Sequence, residues 1–303
     1  MVASFFQIGC FRSGVICDNS CGNAQREEPM HRTLYGIRCH SLRRRERRLA
    51  GFRFFCGLLF LSAASAAAAD DLKTLQLPQE DHEEITQLMG TDIVLQALPA
   101  GPLLPASAYL PKATALTFLV KAKGKQPYTE THRITPVSQA NSQATFQYDK
   151  SGKGVMTFVP LGADGLAVSQ ETDLDKEVIS TFTPPEPLII SGLAPGQSKE
   201  QTIAVSVADI AKPTKVDYTG TLDIIYTYLG RFKIKVPAGT YDADLLKWTY
   251  SGGVGPASVK TAEYRFIAKD AGMVAMVQWR SISAVLIYHE RSRIARQLQS
   301  AGQ

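Results

Sequence analysis

The sequence has no cysteine beyond residue 56. All five cysteines precede residue 70: Cys10, Cys17, Cys21, Cys39 and Cys56. The rest of the chain therefore cannot form disulfides, a thiolate nucleophile or a cysteine-ligated metal site. A segment without thiols also tolerates an oxidising compartment without mispairing.

The part of the chain after residue 69 also has no excess of positive charge. The net charge of +5 would suggest binding to nucleic acid or to a membrane surface. However, the first 69 residues contain ten arginines and only four acids, which leaves 23 basic and 24 acidic side chains in the remaining 234 residues. With a net charge of −1, this part argues against nucleic acid as a partner.

Familiar catalytic and nucleotide-binding motifs are also missing. The sequence contains no H-E-x-x-H, C-x-x-C, G-x-S-x-G or phosphate-binding glycine loop. Three histidines follow residue 69, namely His82, His132 and His289. We interpret each as a surface or half-buried side chain, and we expect no metal, no cofactor and no catalytic residue.

The N-terminal region is typical of an export signal. A basic run at residues 43–53 precedes the apolar stretch 54–64 and the small residues 65–69. This order is that of a secretory signal peptide, and it predicts cleavage after Ala69 and a periplasmic or secreted body. The alternative is an uncleaved anchor, although residues 54–69 number 16 against about 20 for a membrane span.

The chain divides by character into four parts. Residues 1–69 form the leader and signal peptide, residues 70–112 a helix and proline-rich connector, residues 113–290 a β-rich domain, and residues 291–303 a charged tail with a short helix. Residues 1–42 precede the basic run, and an ordinary signal peptide has no such preceding segment. We expect translation to start at Met30 or at a non-methionine codon nearer the arginines, the alternative being a genuine long leader.

One segment of the body, residues 72–97, has helical periodicity. Pro78 and the acids that follow it favour a helix N-terminus. Ile85, Leu88 and Met89 are spaced at i, i+3 and i+4, which places them on one face. Gly90 is expected to end or interrupt this helix. Residues 98–111 contain four prolines and predict an extended connector.

From residue 113 onward, apolar residues recur with a period of two. Residues 222–228, 232–236 and 262–268 are examples in which one set faces a core and the alternate set faces water. About a dozen strands are expected, and open sheets of more than about ten strands usually curl or split. The fold class is therefore mainly β, a curved antiparallel sheet forming a half-barrel, a barrel or a two-layer sandwich. A proline-rich crossing near 183–197 could divide it into two lobes.

A turn motif lies between two of these strands. Residues 231–243 read RFKIKVPAGTYDA, in which Pro237 suits turn position i+1 and Gly239 position i+3. The motif resembles the signature of the TapB-like family, secreted bacterial β proteins with a domain of unknown function. The resemblance covers about residues 188–280 and implies a fold and a location, but no reaction. The matching positions are Gly230, Val236, Pro237, Ala238, Gly239, Thr240, Tyr241 and Ala243.

Aromatic side chains are concentrated in the second half of the body. On a curved sheet they could line a concave groove for an apolar ligand, with tyrosine hydroxyls at its rim. The alternative is an ordinary hydrophobic core. The candidate ligand-binding residues are Tyr226, Tyr228, Tyr241, Trp248, Tyr264 and Trp279.

Two pairs of carboxylates are spaced at i, i+2 on predicted strands. Asp242 with Asp244, and Asp173 with Asp175, could serve acid–base chemistry or hold Ca²⁺. The same spacing also describes a solvated face. In that case Asp242 and Asp244 would form cross-strand ion pairs with the basic residues 231–235.

These observations favour an exported envelope protein that binds an apolar small molecule or an envelope protein partner without catalysing a reaction. One alternative is a hydrolase of envelope polymer that uses the carboxylates. Another is a structural or assembly factor without a pocket.

The export signal leads to a direct prediction. The protein purified from its own envelope should begin at Asp70, because the small residues before it fit the signal peptidase cleft. N-terminal sequencing and intact mass measure this. A mature chain that retains the apolar stretch would contradict cleavage, and an unprocessed product that begins at Met1 would contradict the later start.

Overall fold

The computed structural model describes residues 72–136, 146–284 and 288–302. The predicted signal peptide, its cleavage site and the start of translation lie outside these residues. Along the chain, the elements are β1 (Lys73–Thr74), α1 (Gln79–Met89), β2 (Val94–Ala100), a 3-10 helix (Ala106–Tyr109), β3 (Ala115–Ala122), β4 (Tyr128–Pro136), β5 (Phe146–Lys150), β6 (Gly154–Leu161), β7 (Gly165–Asp173), β8 (Val178–Ile189), β9 (Ser198–Asp209), β10 (Val216–Val236), β11 (Gly239–Val254), β12 (Ala257–Ala268), β13 (Gly272–Ala284) and β14 (Tyr288–Gly302).

Twelve of the described strands, β3 to β14, form a closed antiparallel barrel. Neighbours in sequence pair with each other from β3 to β14, and β14 returns to pair with β3. The mainly β fold class is confirmed, and of the alternatives the barrel is the one observed. The ring of strands is continuous through β8 and β9, where we considered a division into two lobes.

Strand β10 is long enough to pair with two strands in succession along one edge, while β11 pairs along the other. Its first half, Val216–Thr227, pairs with β9, whereas Arg231–Ile234 pairs with β2. Strand β2 in turn pairs with the short β1. The N-terminal elements are thereby attached to the barrel wall beyond the start of β9, where its pairing with β10 stops.

A β-bulge divides the two halves of β10. Tyr228 pairs with Leu246, and Gly230 pairs with Leu245, so that Leu229 is an extra residue. Side chains at even positions therefore face the barrel interior before the bulge and the outer surface after it. Gly230 has φ of 120°, a value that side-chain-bearing residues rarely adopt.

Two hydrophobic clusters follow from this change of face. The inner core lies inside the barrel and includes Tyr226, Tyr228 and Trp248. The outer core lies between α1 and the outer barrel wall, and includes Phe232 and Phe266. The barrel wall is therefore buried on both faces wherever α1 covers it.

Helix α1 begins after Pro78 and ends before Gly90, as the sequence predicts. Its buried side chains are Asp81, Ile85 and Met89, spaced four residues apart on one face. Asp81 accepts hydrogen bonds from Lys247 Nζ at 2.6 Å and from the hydroxyl of Tyr264 at 2.7 Å. The helix is thus attached to the barrel by an apolar face and by one buried carboxylate.

Residues 236–239 form the turn of the hairpin between β10 and β11. Val236 pairs with Gly239 across Pro237 and Ala238, and the strand that begins there contains Thr240. Gly239 has φ of 136°, which explains why glycine occupies this position. The motif residues therefore account for the turn between β10 and β11.

Two local predictions are wrong. Residues 94–97, which we included in the segment with helical periodicity, belong to β2, because the helix ends at Met89 and Gly90 redirects the chain. The tail, where we expected a short helix, forms most of β14, because pairing with β13 and β3 closes the barrel there.

The bulge leads to a prediction about stability. Gly230→Ala should lower the free energy of unfolding by about 1–3 kcal/mol, because alanine is strained at this φ. Gly302→Ala is the control, since its Cβ would meet no atom within 4 Å and its effect should stay within about 0.5 kcal/mol. Urea unfolding followed by circular dichroism measures both. Equal effects of the two substitutions would contradict the role given to the bulge.

Candidate functional site

A segment that we call the strap, residues 101–112, crosses one end of the barrel. Leu103 N–H donates to the carbonyl of Leu193 at 2.9 Å, and Ala106 N–H donates to that of Asp164 at 2.7 Å. Lys112 N–H donates to the carbonyl of Asp270, in the turn between β12 and β13, at 3.0 Å. Since these acceptors lie in three different turns at the same end, the strap covers the barrel opening.

One buried carboxylate anchors the strap to the barrel wall. The hydroxyl of Tyr109 donates to Asp244 Oδ2 at 2.6 Å, and that of Tyr228 donates to Oδ1 at 2.6 Å. Arg231 completes the set with Nε to Oδ1 at 2.9 Å and a terminal nitrogen to Oδ2 at 3.0 Å. Burial, together with the charge of Asp244, raises the pKa values of both tyrosines, so they act as neutral donors.

A cavity of about 160 Å³ lies beneath the strap. Most of its wall is aliphatic, with contributions from the strap, from β3 to β8 and from β12 and β13. The apolar lining residues are Ala106, Leu110, Pro111, Leu116, Ile134, Met156, Phe158, Leu166, Leu188, Ile189, Ile267, Met273 and Met276. Such a wall favours an apolar group.

The remaining wall of the cavity is polar and rich in hydrogen-bond donors. We call this part the donor wall, and it consists of His132, Tyr148, Lys150, Arg265, Gln278 and Arg296. These residues come from β4, β5, β12, β13 and β14. The closed sheet therefore gathers charges that lie far apart in the sequence.

Arg296 and His132 share a buried carboxylate, that of Glu130. Arg296 Nε donates to Glu130 Oε2 at 2.7 Å, and His132 Nε2 lies 3.1 Å from the same oxygen. Burial alone would raise the pKa of Glu130, but the hydrogen bond with His132 and the charge and hydrogen bonds of Arg296 hold it well below its usual range. Glu130 is therefore ionised at neutral pH.

His132 is buried more deeply than the sequence suggested. It is 2% exposed, so the expectation of a surface or half-buried imidazole is wrong. Its Nδ1 lies 2.8 Å from the hydroxyl of Tyr148, and both ring nitrogens thus have protein partners. Burial lowers the pKa of His132, which favours the neutral imidazole at pH 7.

Lys150 and Arg265 are paired in the same way with acids behind the wall. Lys150 Nζ forms an ion pair with Glu171, and Arg265 Nε donates to Glu263. Burial, reinforced by the nearby Arg296, lowers the pKa of Lys150 to about 8. The lysine is therefore mostly charged at neutral pH.

The residues on β12 correct one part of the sequence analysis. We expected Glu263 and Arg265 to face water, because they alternate with apolar residues. They are 0% and 4% exposed. They lie on the face of β12 that points into the barrel interior, while α1 covers the opposite face. Arg265 also packs 4.6 Å above the ring of Trp248. Opposite charges two residues apart on a strand were the available signal for this internal pair.

Three of the predicted binding aromatics belong to the inner core. Trp248 packs edge-on against Tyr226 with ring centroids 5.0 Å apart, and its Nε1–H donates to the carbonyl of Pro187. Tyr226 donates to the carbonyl of Leu188, and Tyr228 donates to Asp244. None of the three is among the residues that line the cavity.

The other three predicted aromatics lie elsewhere. Tyr264 and Trp279 line a groove of about 430 Å³ between α1 and the outer barrel wall. Tyr241 is half-buried and packs against the outer core. A binding role for the six aromatics thus remains a prediction, and the cavity presents a different set of side chains.

The carboxylates of the hydrolase alternative lie in unlike environments. Asp244 is buried and accepts four hydrogen bonds, whereas the side chain of Asp242 is 61% exposed and lies 3.9 Å from Lys233. The cross-strand pairs expected with Arg231 and Lys233 are confirmed. Ion pairing accounts for both carboxylates without a catalytic role.

In the three described stretches, no group of His, Asp and Glu side chains is placed to hold a metal ion. The helices there also lack the length and apolar character of a membrane span.

The anchor of the strap leads to a prediction. Asp244→Ala should lower the free energy of unfolding by about 3 kcal/mol, because it leaves Arg231 and two buried hydroxyls without their acceptor. Asp242→Ala removes the same group from an exposed position on the same strand, and its effect should stay within about 0.5 kcal/mol. Urea unfolding measures both. Similar losses in the two variants would show that Asp244 is not a structural anchor.

No protein-family model matches the chain, and no curated protein matches it. Among solved structures, the chain is similar to the hypothetical lipoprotein YmcC from Escherichia coli, with a TM-score of 0.36 and 9% identity over 75% of this chain and 99% of that one. It is also similar to a protein described as exported, with a YmcC-like fold, from Bacteroides fragilis, with a TM-score of 0.36 and 9% identity over 64% and 98% of the two chains. A third similar structure, described as a lipoprotein from Parabacteroides distasonis, has a TM-score of 0.31 and 9% identity over 63% and 97%. Similarity at this level carries no inference about what this chain does.

Proposed function

We propose that this protein is a non-catalytic binding protein that acts outside the cytoplasm and holds the apolar part of a small ligand in its barrel. The observation that carries the proposal is the cavity beneath the strap, whose wall is mostly aliphatic. A mostly apolar pocket with a few convergent polar groups is the usual form of a small-molecule site.

The volume of the cavity limits the size of the group it holds. An apolar cavity of about 150 Å³ accommodates benzene, and this one is of similar volume, about 160 Å³. An apolar group of about six to eight non-hydrogen atoms would therefore fit. A longer ligand would have to extend past the strap.

A route for such a ligand lies at the end of the strap. Leu110 lines the cavity and is 36% exposed, so the cavity wall reaches the surface there. Pro111 on the strap and Gly272 at the start of β13 also line the cavity there. Entry at this point would leave the anchor at Tyr109 in place.

The location outside the cytoplasm is supported by the signal sequence and by the absence of cysteine after residue 56. The resemblance to the TapB-like family is part of the same proposal. The alternative is an envelope protein partner, which would bind the outer surface of the protein and would not enter the cavity.

Methionine methyl groups provide a direct test of binding. After residue 69 the chain has four methionines, of which Met156, Met273 and Met276 line the cavity while Met89 lies in the outer core. Adding 1-octanol to the exported, processed protein labelled with ¹³C at the methionine methyl groups should shift the three cavity signals and leave that of Met89 unchanged, because only the three would contact the alkyl chain. NMR titration measures this.

A larger side chain in the cavity wall supplies the control. Leu166→Phe should reduce the shifts of the three cavity methyl groups, because the ring occupies part of the space that the alkyl chain needs. Saturating 1-octanol that shifts none of the three signals, or shifts only that of Met89, would contradict binding in the cavity.

A further inference from the structure

The charges around the cavity are arranged asymmetrically. Three basic side chains line it: Lys150, Arg265 and Arg296. Their carboxylate partners are Glu171, Glu263 and Glu130, and none of these lines it. A ligand in the cavity would therefore meet the bases first, with the acids behind them.

Lys150 and Arg296 retain donors for a ligand. An ammonium group has three N–H donors, and among the described residues Lys150 forms an ion pair with Glu171. A guanidinium group has five N–H donors, and Arg296 directs Nε and one terminal nitrogen to Glu130. Both side chains can therefore satisfy their acids and still donate into the cavity.

The charged side chains of the donor wall are donors only, and the acceptor oxygens of Tyr148 and Gln278 are neutral. Lysine and arginine have no acceptor atoms, and the two ring nitrogens of His132 are already engaged by Glu130 and the hydroxyl of Tyr148. A carboxylate accepts hydrogen bonds and donates none, and charge-assisted hydrogen bonds of this kind are about twice as strong as neutral ones. A cationic ligand group would be repelled at the same place.

We propose that the ligand is a small amphipathic carboxylate, such as a medium-chain fatty acid. Its carboxylate binds Lys150 and Arg296 at the donor wall, and its alkyl chain lies along the aliphatic wall toward Leu110. This inference rests on the proposed function, because it names the class of molecule that the same cavity holds.

A paired substitution tests the donor wall by neutralising both members of one ion pair. Lys150→Met with Glu171→Gln removes both charges of one ion pair. The matched control is Lys247→Met with Asp81→Asn, which neutralises a pair of similar burial between α1 and the outer wall. The side chains are 24% and 1% exposed in the first pair, and 21% and 3% in the second.

Octanoate, 1-octanol and octylammonium are the three probes, because they share an alkyl chain and differ in the charge of the head group. NMR titration of the methionine methyl signals gives each dissociation constant. In the unaltered protein, octanoate should bind at least tenfold more tightly than 1-octanol, and octylammonium should bind most weakly. The Lys150/Glu171 variant should lose about tenfold in affinity for octanoate and less than threefold for 1-octanol, whereas the control variant should change neither.

The remaining outcomes separate the two proposals. Equal affinities for octanoate and 1-octanol, or tightest binding of octylammonium, would overturn the carboxylate inference and leave the cavity a neutral binding site. An equal loss for octanoate in both variants would overturn the role of Lys150. Binding of none of the three probes would overturn the proposed function itself.

Discussion

The structure depends on the closure of its sheet, which strand β14 accomplishes by pairing with β3. Once the ring is closed, most inward side chains lose their contact with water, whether they are apolar or charged. Glu263, at 0% exposure, illustrates the consequence, since burying an isolated carboxylate would be prohibitive and it is instead bound by Arg265 and Gln278. The same constraint explains why the barrel interior contains ion pairs beside a core of aromatic side chains.

The sequence was sufficient to predict most of the strands, but not which face each residue occupies. Alternation of apolar and polar residues identified the strands from residue 113 onward, and proline with acids identified the start of α1. The alternation runs unbroken through Gly230, although the bulge there turns Phe232 away from the interior that Tyr228 faces. Alternation with a period of two shows which residues share a face within one regular strand. It cannot show that a bulge, by adding one residue, moves the later residues to the opposite face.

The candidate site was missed for a related reason. Aromatic density directed attention to residues 226–279, whereas the donor wall combines β4 and β5 with β12, β13 and β14. Pairing of β14 with β3 brings Arg296 next to Glu130, which lies 166 positions earlier in the chain. Nothing in either local sequence specifies that pairing. Aromatic side chains bury large apolar areas and contribute strongly to core stability. This explains why Tyr226, Tyr228 and Trp248 lie in the inner core.

The ion pairs also bear on why a cavity of this composition exists. Buried salt bridges add little to stability, because desolvating two charges offsets most of their attraction, and apolar residues of similar volume often serve as well. A barrel that needed only a stable interior could therefore dispense with Lys150, Arg265 and Arg296. Their position between the acids and the cavity is instead the arrangement expected if hydrogen-bond donors must be held ready for a ligand, with each carboxylate fixing a base in place. Because Tyr109 connects the strap to Asp244 on β11, the barrel that holds the donors also holds the strap that covers them.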